Sequence, residues 1–294
     1  MAVDTALITH FSNLLLVKAQ QMQTRLMGKC PIKPITGDNF AFDGTGLLEA
    51  RTVNDRNPLI NPVNPDYTRR KMTRDRVIVE LIVDNRDVRG MFEDPTSKLV
   101  DDCMFAIMRK ADKIGITAMT AAVLTGKDMD TSVSFATDGG LTVDATAGLT
   151  FAKMLEINSN FKKNEVGIDM PETIYLGMSE QEEATLLNIS QLTSGDFSRD
   201  YVVEKGKIIR ALGMDIILFG SNVDSPQLAV ASSVRDNFAF TPKGLMYGMS
   251  KNFTVKVQPD YPGYVESTYI QVLGEIGAVR TDGQRVQKVQ TTAT

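Results

Sequence analysis

A nucleophile–base catalyst in this chain would have to be built on His10, because the sequence holds one histidine. A Ser-His-Asp or Cys-His arrangement needs an imidazole to take the proton and a third group to orient it. His10 sits in a helically periodic segment near the N-terminus and reads as a surface or packing residue. Metal chemistry has as little support. Cys30 and Cys103 are the two cysteines, too few with a single histidine for a structural zinc set, and no D-x-[DN]-x-[DN]-G calcium loop is present. The alternating acids of KDMDTS lack a third ligand at calcium-loop spacing. In a reducing compartment two such thiols stay free, and free cysteine tends to be buried. Phosphate loops are missing in their recognisable forms. Gly126-Lys127 is followed by Asp128 where Ser or Thr is required, and Ala121 stands at the leading glycine position. FDGTG and TDGG lack G-x-G-x-x-G spacing and read as turns. The carboxylate pairs Glu93/Asp94 and Asp101/Asp102 have the groups for acid–base work, yet they open a helix, where the macrodipole favours negative charge. The sequence argues for a non-enzyme with no catalytic residue, cofactor or metal.

The basic run Arg69, Arg70, Lys71, Arg74 and Arg76 is the best electrostatic feature. A nucleic-acid reader would interleave aromatics and carry a basic overall charge. Here Tyr67 is the one nearby aromatic, the net charge is −4 and the pI is about 5.2. A solvated strand face and an acidic protein partner both remain as readings, and we prefer the partner. Because alternate strand residues face opposite ways, Arg70, Arg74 and Arg76 can share one face. Residues 1–90 carry 13 Lys+Arg and 10 Asp+Glu, while residues 91–294 carry 19 and 26. That asymmetry suits head-to-tail association of identical subunits.

The elements that must position these groups can be read along the chain. A hydrophobic fraction of 43% and a charged fraction of 23% exclude wholesale disorder. No apolar run approaches the roughly 18 residues that span a bilayer, and LLLV at Leu14–Val17 is too short for a signal core. A protein folded in the cytosol is expected. Residues 3–28 read as an amphipathic helix or arm ended by Gly28, and Pro31 and Pro34 then impose an extended connector. Strands are expected at Asn39–Phe42, Leu47–Arg51 and Val77–Val83. Between the last two lie three Asn-Pro pairs within Asn57–Pro65, which block both helix and ladder and mark an irregular tip. DPTSKLVDDCMFAIMRKADKIGITAMTAAVLTG, Asp94–Gly126, is one long helix by pattern, with Asp94 as N-cap, Pro95 at the first position and Gly126 past the end. Its charge-free half from Ile114 should lie on a sheet and the second helix, and its charged half should meet arms and loops. A hairpin turning at Asp138-Gly139-Gly140 and a helix over 150–164 follow. After Pro171 come a strand at Thr173–Gly177, a helix over Ser179–Leu187, and strands at Met214–Phe219, Leu228–Val234 and Phe253–Val257. A terminal pair is expected at Ser267–Val279 and Arg285–Val289. The fold class is α+β, with no internal repeat.

That order, together with ALITHF, EARTVNDRNPLINPVNPDYTRRKM and FEDPTSKLVDDCMFAIMRKADKIGITAM, resembles the Hong Kong 97-like fold of tailed-bacteriophage major capsid proteins, short-tailed phages in particular. The resemblance covers essentially the whole chain. It implies an N-terminal arm at 1–35, an extended two-stranded loop (the E-loop) at 36–85, and a peripheral domain at 86–169 with a spine helix over 95–125. An axial domain at 170–262 and a return to the peripheral domain with a C-terminal strand at 263–294 complete it. The implied function is a self-assembling structural subunit, forming hexamers and pentamers of an icosahedral head around double-stranded DNA that it does not read by sequence. Arg51, Arg69, Arg70, Lys71 and Arg74 would brace the loop on an adjacent subunit, with Asp101 and Asp102 among the inter-subunit contacts. The implied partners are other copies of the chain, a separate scaffolding protein, a portal protein and decoration proteins, with no membrane. A separate scaffold follows because no charged, heptad-rich leader precedes the arm. No Lys–Asn crosslinking pair can be identified, so a non-covalent shell is expected. The implied location is the virion, after assembly in the host cytoplasm. Competing readings are a tail or decoration component, and a cytosolic enzyme with an unrecognised carboxylate site.

Overall fold

The computed structural model describes residues 20–37, 39–46, 48–54, 56, 59–60, 62–85, 96–168, 172–189, 203–204, 207–221, 227–259 and 261–293. In chain order, β1 (Ile32–Pro34), β2 (Asn39–Thr45), β3 (Tyr67–Thr73) and β4 (Asp75–Asp84) precede the long helix α1 (Thr96–Thr120). Next come β5 (Val123–Thr125), β6 (Thr131–Val133), β7 (Leu141–Ala145), α2 (Phe151–Lys163), β8 (Ile174–Ser179) and α3 (Glu180–Leu187). The short β9 (Val203–Glu204), β10 (Lys207–Ile208) and β11 (Arg210–Ala211) lead to β12 (Met214–Phe219) and β13 (Val230–Ala231). β14 (Val234–Phe240), β15 (Leu245–Gln258), β16 (Ser267–Arg280) and β17 (Val286–Thr292) close the chain.

Two sheets carry the architecture. In the frame sheet the long antiparallel pair β15–β16 is flanked by β4 on β16 and by β1, parallel, on β15. The run VIVELIV alternates as a strand with one covered face should. Val77, Val79 and Leu81 turn toward Cys103 and Ile107 of α1, while Ile78 and Ile82 face away, half-exposed. The axial sheet runs β11-β12-β8-β14-β17-β7, with β13 paired to β14. On it α2, capped by Thr150, buries Met154, Ile157 and Phe161 against Val143, Leu176 and Val289. Ser179 and Glu182 form a capping box that starts α3. Buried Arg235 reaches Glu182 at 3.2 Å and so ties β14 to α3.

Between the two sheets, Leu26 and Met27 of the arm, Met119 of α1, Phe219, Phe238 and Tyr247 share one core. Helix and strand come so close here that a Cβ on Gly115 would lie 1.8 Å from the Tyr247 hydroxyl. β2 and β3 form a separate hairpin that extends, through β5 and β6, into a third small sheet.

Several expectations are corrected. The arm is not helical over residues 20–28, and the remainder of that expected helix, with His10, lies outside the described residues. No strand forms at 48–51. The β2–β3 ladder ends at Thr45–Tyr67, and beyond it the opposite segment holds the Asn-Pro pairs, which lack the donors a ladder needs. β4 pairs with β16 instead of extending the hairpin. The long helix ends at Thr120, because the β-branched Val123 and Thr125 pair with β6. Its expected caps Asp94 and Pro95 fall outside the described residues. β6 and β7 are no hairpin, since β6 pairs with β5 and β7 lies parallel to β17. The expected strand at Leu228–Val234 is broken by a turn with Ser232 and Ser233 at φ +51° and +61°. β16 and β17 do not pair either, because residues 281–285 carry the chain from the frame sheet into the axial sheet. The second helix packs on the axial sheet and belongs to a different core from α1.

Candidate functional site

The β2–β3 hairpin stands on the body through its basic run. Strand alternation turns Arg70 and Met72 inward, leaving Arg69 exposed and Lys71 half-exposed. Both Arg70 nitrogens reach Asp138, at 2.7 and 2.8 Å, and Arg70 Nη1 also donates to the Arg280 carbonyl at 3.3 Å. Arg280, with no exposed surface, donates from Nε at 2.8 Å to Asp138 Oδ2, the oxygen that also accepts from Arg70 Nη1. Its Nη1 donates to the Met119 and Ala121 carbonyls, each at 2.8 Å, at the C-terminus of α1. These orphan carbonyls are the negative end of the helix dipole. The Arg280 guanidinium also lies 5.2 Å from the centre of the Phe135 ring. One carboxylate thus ties together β3, β16, the helix end and the Ser134–Gly140 turn. Burial works to raise the Asp138 pKa, but the hydrogen bonds and charges of Arg70 and Arg280 outweigh it and hold the carboxyl below its ordinary range.

A second tie lies at the foot of the hairpin. Arg74 reaches Glu275 at 2.6 Å and Ser250 at 2.9 Å, and Arg76 reaches the same buried Glu275 at 3.3 Å. Arg70, Arg74 and Arg76 pair with carboxylates of their own chain. Outward, Arg69 forms a two-point pair with exposed Asp43 across the hairpin, at 2.7 and 3.0 Å. Arg51 Nη2 donates to the Leu59 carbonyl at 2.7 Å and folds the tip back on itself. The tip exposes large apolar groups: Leu59 is 87% exposed, Ile60 93% and Val63 67%.

The arm is fixed by a carboxylate in the charged half of the long helix. Asp112 is fully buried and accepts from the backbone N–H groups of Arg25 at 2.9 Å and Leu26 at 3.2 Å, and from the Gln21 side chain. Burial raises its pKa, and these hydrogen bonds offset the rise only in part. Asp102 accepts from the Gln20 side chain, whereas Asp101 is exposed. The structure thus places Arg70 and Arg74 at two separate ties at the hairpin base, one on Asp138 and one on Glu275. It leaves Arg51, Arg69 and Lys71 on the outer hairpin and sets Asp101 and Asp102 on the helix.

Asp112, Asp138, Glu275 and Arg280 were missed by the sequence reading. For Asp112 a signal existed, since it precedes the buried Ile116 and Met119 by one and two turns and so falls within the apolar stripe. For the others no local signal exists. Among the described residues no group of acids, cysteines or histidine is placed to hold a metal ion, and no helix is long and apolar enough to cross a membrane.

A family model described as phage capsid protein matches residues 3–293. The fold is similar to the capsid structure of the cyanophage P-SCSP1u, with 10% identity, a TM-score of 0.73, and coverage of 97% of this chain and 92% of that one. The mature capsid of bacteriophage PhiM1 shows 11% identity, a TM-score of 0.68, and coverage of 96% and 91%. A structure from Mycobacterium phage Che8 shows 16% identity, a TM-score of 0.61, and coverage of 95% and 98%. Comparison with curated protein sequences gives no match.

Proposed function

This chain belongs to the phage capsid protein family, and from that premise we propose that it closes an icosahedral head by packing each hairpin excursion on the next subunit. The fold is Hong Kong 97-like, the chain is a structural subunit of the virion capsid, and its partners are first of all its own copies. The observation that carries the proposal is the division of the excursion into a fixed base and an open outer part. Its base is held by buried ion pairs at Asp138 and Glu275, while its tip exposes Leu59, Ile60 and Val63 to solvent. A stiff lever with an apolar end is a costly feature for a lone subunit and a useful one between subunits.

On this reading the subunits form hexamers and pentamers around double-stranded DNA held without sequence readout, and the chain has no enzymatic role. The arm spans 1–35, the excursion 36–85 with β4 as its anchor in the frame sheet, the peripheral domain 86–169 and 263–294, and the axial domain 170–262, with β7 and β17 of the peripheral segments completing the axial sheet. A separate scaffolding protein guides assembly in the host cytoplasm, a portal protein occupies one vertex, and decoration proteins bind outside. The acidic balance of residues 91–294 suits a wall that does not grip packaged DNA.

The outer charges Arg69 and Lys71, with Arg51, Asp101 and Asp102, are the side chains proposed to meet a neighbour. Arg70 and Arg74 serve the contact indirectly, by setting the angle of the excursion. The test is therefore the double charge reversal Arg69→Glu with Lys71→Glu, which leaves the buried pairs untouched. Circular dichroism of the free subunit should be unchanged, while shell yield should fall by about tenfold or more, since about 1.4 kcal/mol per contact is already a factor of ten. Shells at the wild-type yield would overturn the bracing role.

A further inference from the structure

β4 forms one edge of the frame sheet, and among the described residues its one strand partner is β16. The ten-residue strand DRVIVELIVD holds no proline and no lysine, and its register on β16 runs without a bulge. The usual devices that blunt an edge are therefore missing. One hydrogen bond tells which backbone groups this edge offers. The Asn85 N–H donates to the Glu266 carbonyl at 2.9 Å, one step beyond the pair Asp84–Ser267. Odd-numbered residues of β4 thus spend their N–H and C=O groups on β16, while Arg76, Ile78, Glu80 and Ile82 turn theirs outward. A groove of about 560 Å³ follows the same edge, between Asp75–Val79 and Ala106 and Lys110 of α1.

We propose that β4 pairs with β4 of a second copy of this chain, antiparallel about a two-fold axis through Ile78, and so joins two frame sheets into one. The inference rests on the shell reading and adds to it a contact in which the excursion tip takes no part. A symmetric antiparallel ladder sets outward residues opposite outward residues, and charge then chooses among the registers. With Ile78 opposite its own copy, Arg76 of each strand faces Glu80 of the other. Moving the axis to Val77 or Val79 sets Arg76 against isoleucine, and moving it to Glu80 sets two carboxylates against each other. Both charged groups have capacity for the new contact. Arg76 is 69% exposed and lies 3.3 Å from Glu275, which Arg74 already holds at 2.6 Å. Glu80 accepts from Tyr269 and Gln271 on Oε1, at 2.6 and 3.0 Å. Those neutral donors leave its charge uncompensated and Oε2 facing the partner. Half-exposed Ile78 meets its copy between the two ion pairs, which gives an apolar centre and a charged rim. The two α1 helices then lie on one face of the joined sheet. The β16 strands beneath them are three strand spacings apart, about 14 Å, which clears the separation of about 8–10 Å that packed helices need.

A single cysteine tests the register. Ile78→Cys sets two thiols opposite each other across the axis, with Cα atoms about 5.5 Å apart, inside the range that a disulfide spans. Ile82→Cys is as exposed, yet its two copies stand about 27 Å apart along the same ladder. Shells of each variant are mildly oxidised and run on a non-reducing gel, where buried Cys30 and Cys103 add little background. A covalent dimer is expected from Ile78→Cys, and none from Ile82→Cys or the wild type. Hydrogen exchange on the wild-type chain gives a second reading that needs no substitution. The Arg76, Ile78 and Glu80 amides should exchange freely in the free subunit and slow by about tenfold or more in shells, while Val77 and Val79 are protected in both. Shells that yield no Ile78→Cys dimer, an equal dimer from Ile82→Cys, or no added protection at the three outward amides overturn the pairing and leave the shell reading standing. A wild-type chain that forms no shells in any condition overturns both.

Discussion

Replacing Asp138 with asparagine lowers subunit stability by about 3–5 kcal/mol, the usual cost of removing one partner from a buried ion pair. The reason for placing this substitution at the high end is the company Asp138 keeps. It accepts from Arg70 and Arg280 together, and Arg280 has no exposed surface. Without the carboxylate, two guanidiniums stay in a site with little access to water, offset by the Met119 and Ala121 carbonyls on Arg280 and the Arg280 carbonyl on Arg70. Substituting Arg70 by methionine is expected to cost less, because the Asp138–Arg280 pair survives and an unbranched apolar chain can fill much of the same volume. Urea unfolding of the two variants against the wild type measures the difference, and equal losses would contradict it.

The same carboxylate sets an expectation for pH. Its folded pKa lies below the unfolded value, so its contribution is present above the ordinary aspartate range and is lost as pH falls through the folded value. Glu172, Glu180 and Glu182 are lowered as well, so acid destabilisation of the subunit is the net direction. Asp112 acts in the opposite sense. Its raised value means that between the ordinary aspartate range and that raised value the folded state binds more protons, and there stability falls as pH rises.

Asp112→Ala is the second substitution with a large expected effect, roughly 2–4 kcal/mol. It leaves the backbone N–H groups of Arg25 and Leu26 buried without their acceptor, at about 1–3 kcal/mol for each such group. Removing a buried charge returns part of that, which is why the estimate lies below the simple sum. The arm also loses its register on the helix, since Leu26 and Met27 reach the central core through the segment that Asp112 holds. Hydrogen exchange reads this directly. The Arg25 and Leu26 amides should lose protection in Asp112→Ala, while amides of α2 keep theirs. Unchanged protection at Arg25 and Leu26 would remove Asp112 from its place as the clamp.

These two carboxylates also show where sequence reading succeeds and where it stops. The strand VIVELIV and the cores of the helices α1, α2 and α3 follow from periodicity, which is a local property. Strand alternation places Arg70 inward on β3, while Arg76 lies on β4 in another sheet and meets a different carboxylate. The partners of these arginines are not local, because Asp138 is 68 residues from Arg70 and Glu275 is 201 residues from Arg74. Long-range pairing also explains the failed hairpins. Asp138-Gly139-Gly140 is a turn, as expected, but Arg70 and Arg280 hold its aspartate, and the flanking strands leave for different sheets. Residues 281–285 turn the chain too, and carry it between sheets instead of back along its own strand. The capsid resemblance rests on three local stretches and on the order of elements, and that order survives such errors because it depends on where elements occur more than on how they pair.

The central claim is that this chain closes a shell by seating one subunit's excursion on the next, and imaging of the assembled protein tests it most directly. Electron microscopy of the purified chain, alone and beside a scaffolding protein, should show icosahedral shells of hexamers and pentamers in which Leu59 and Ile60 are buried against an adjacent subunit. Discrete monomers or dimers under every condition, or shells whose excursion tips remain in solvent, would contradict it.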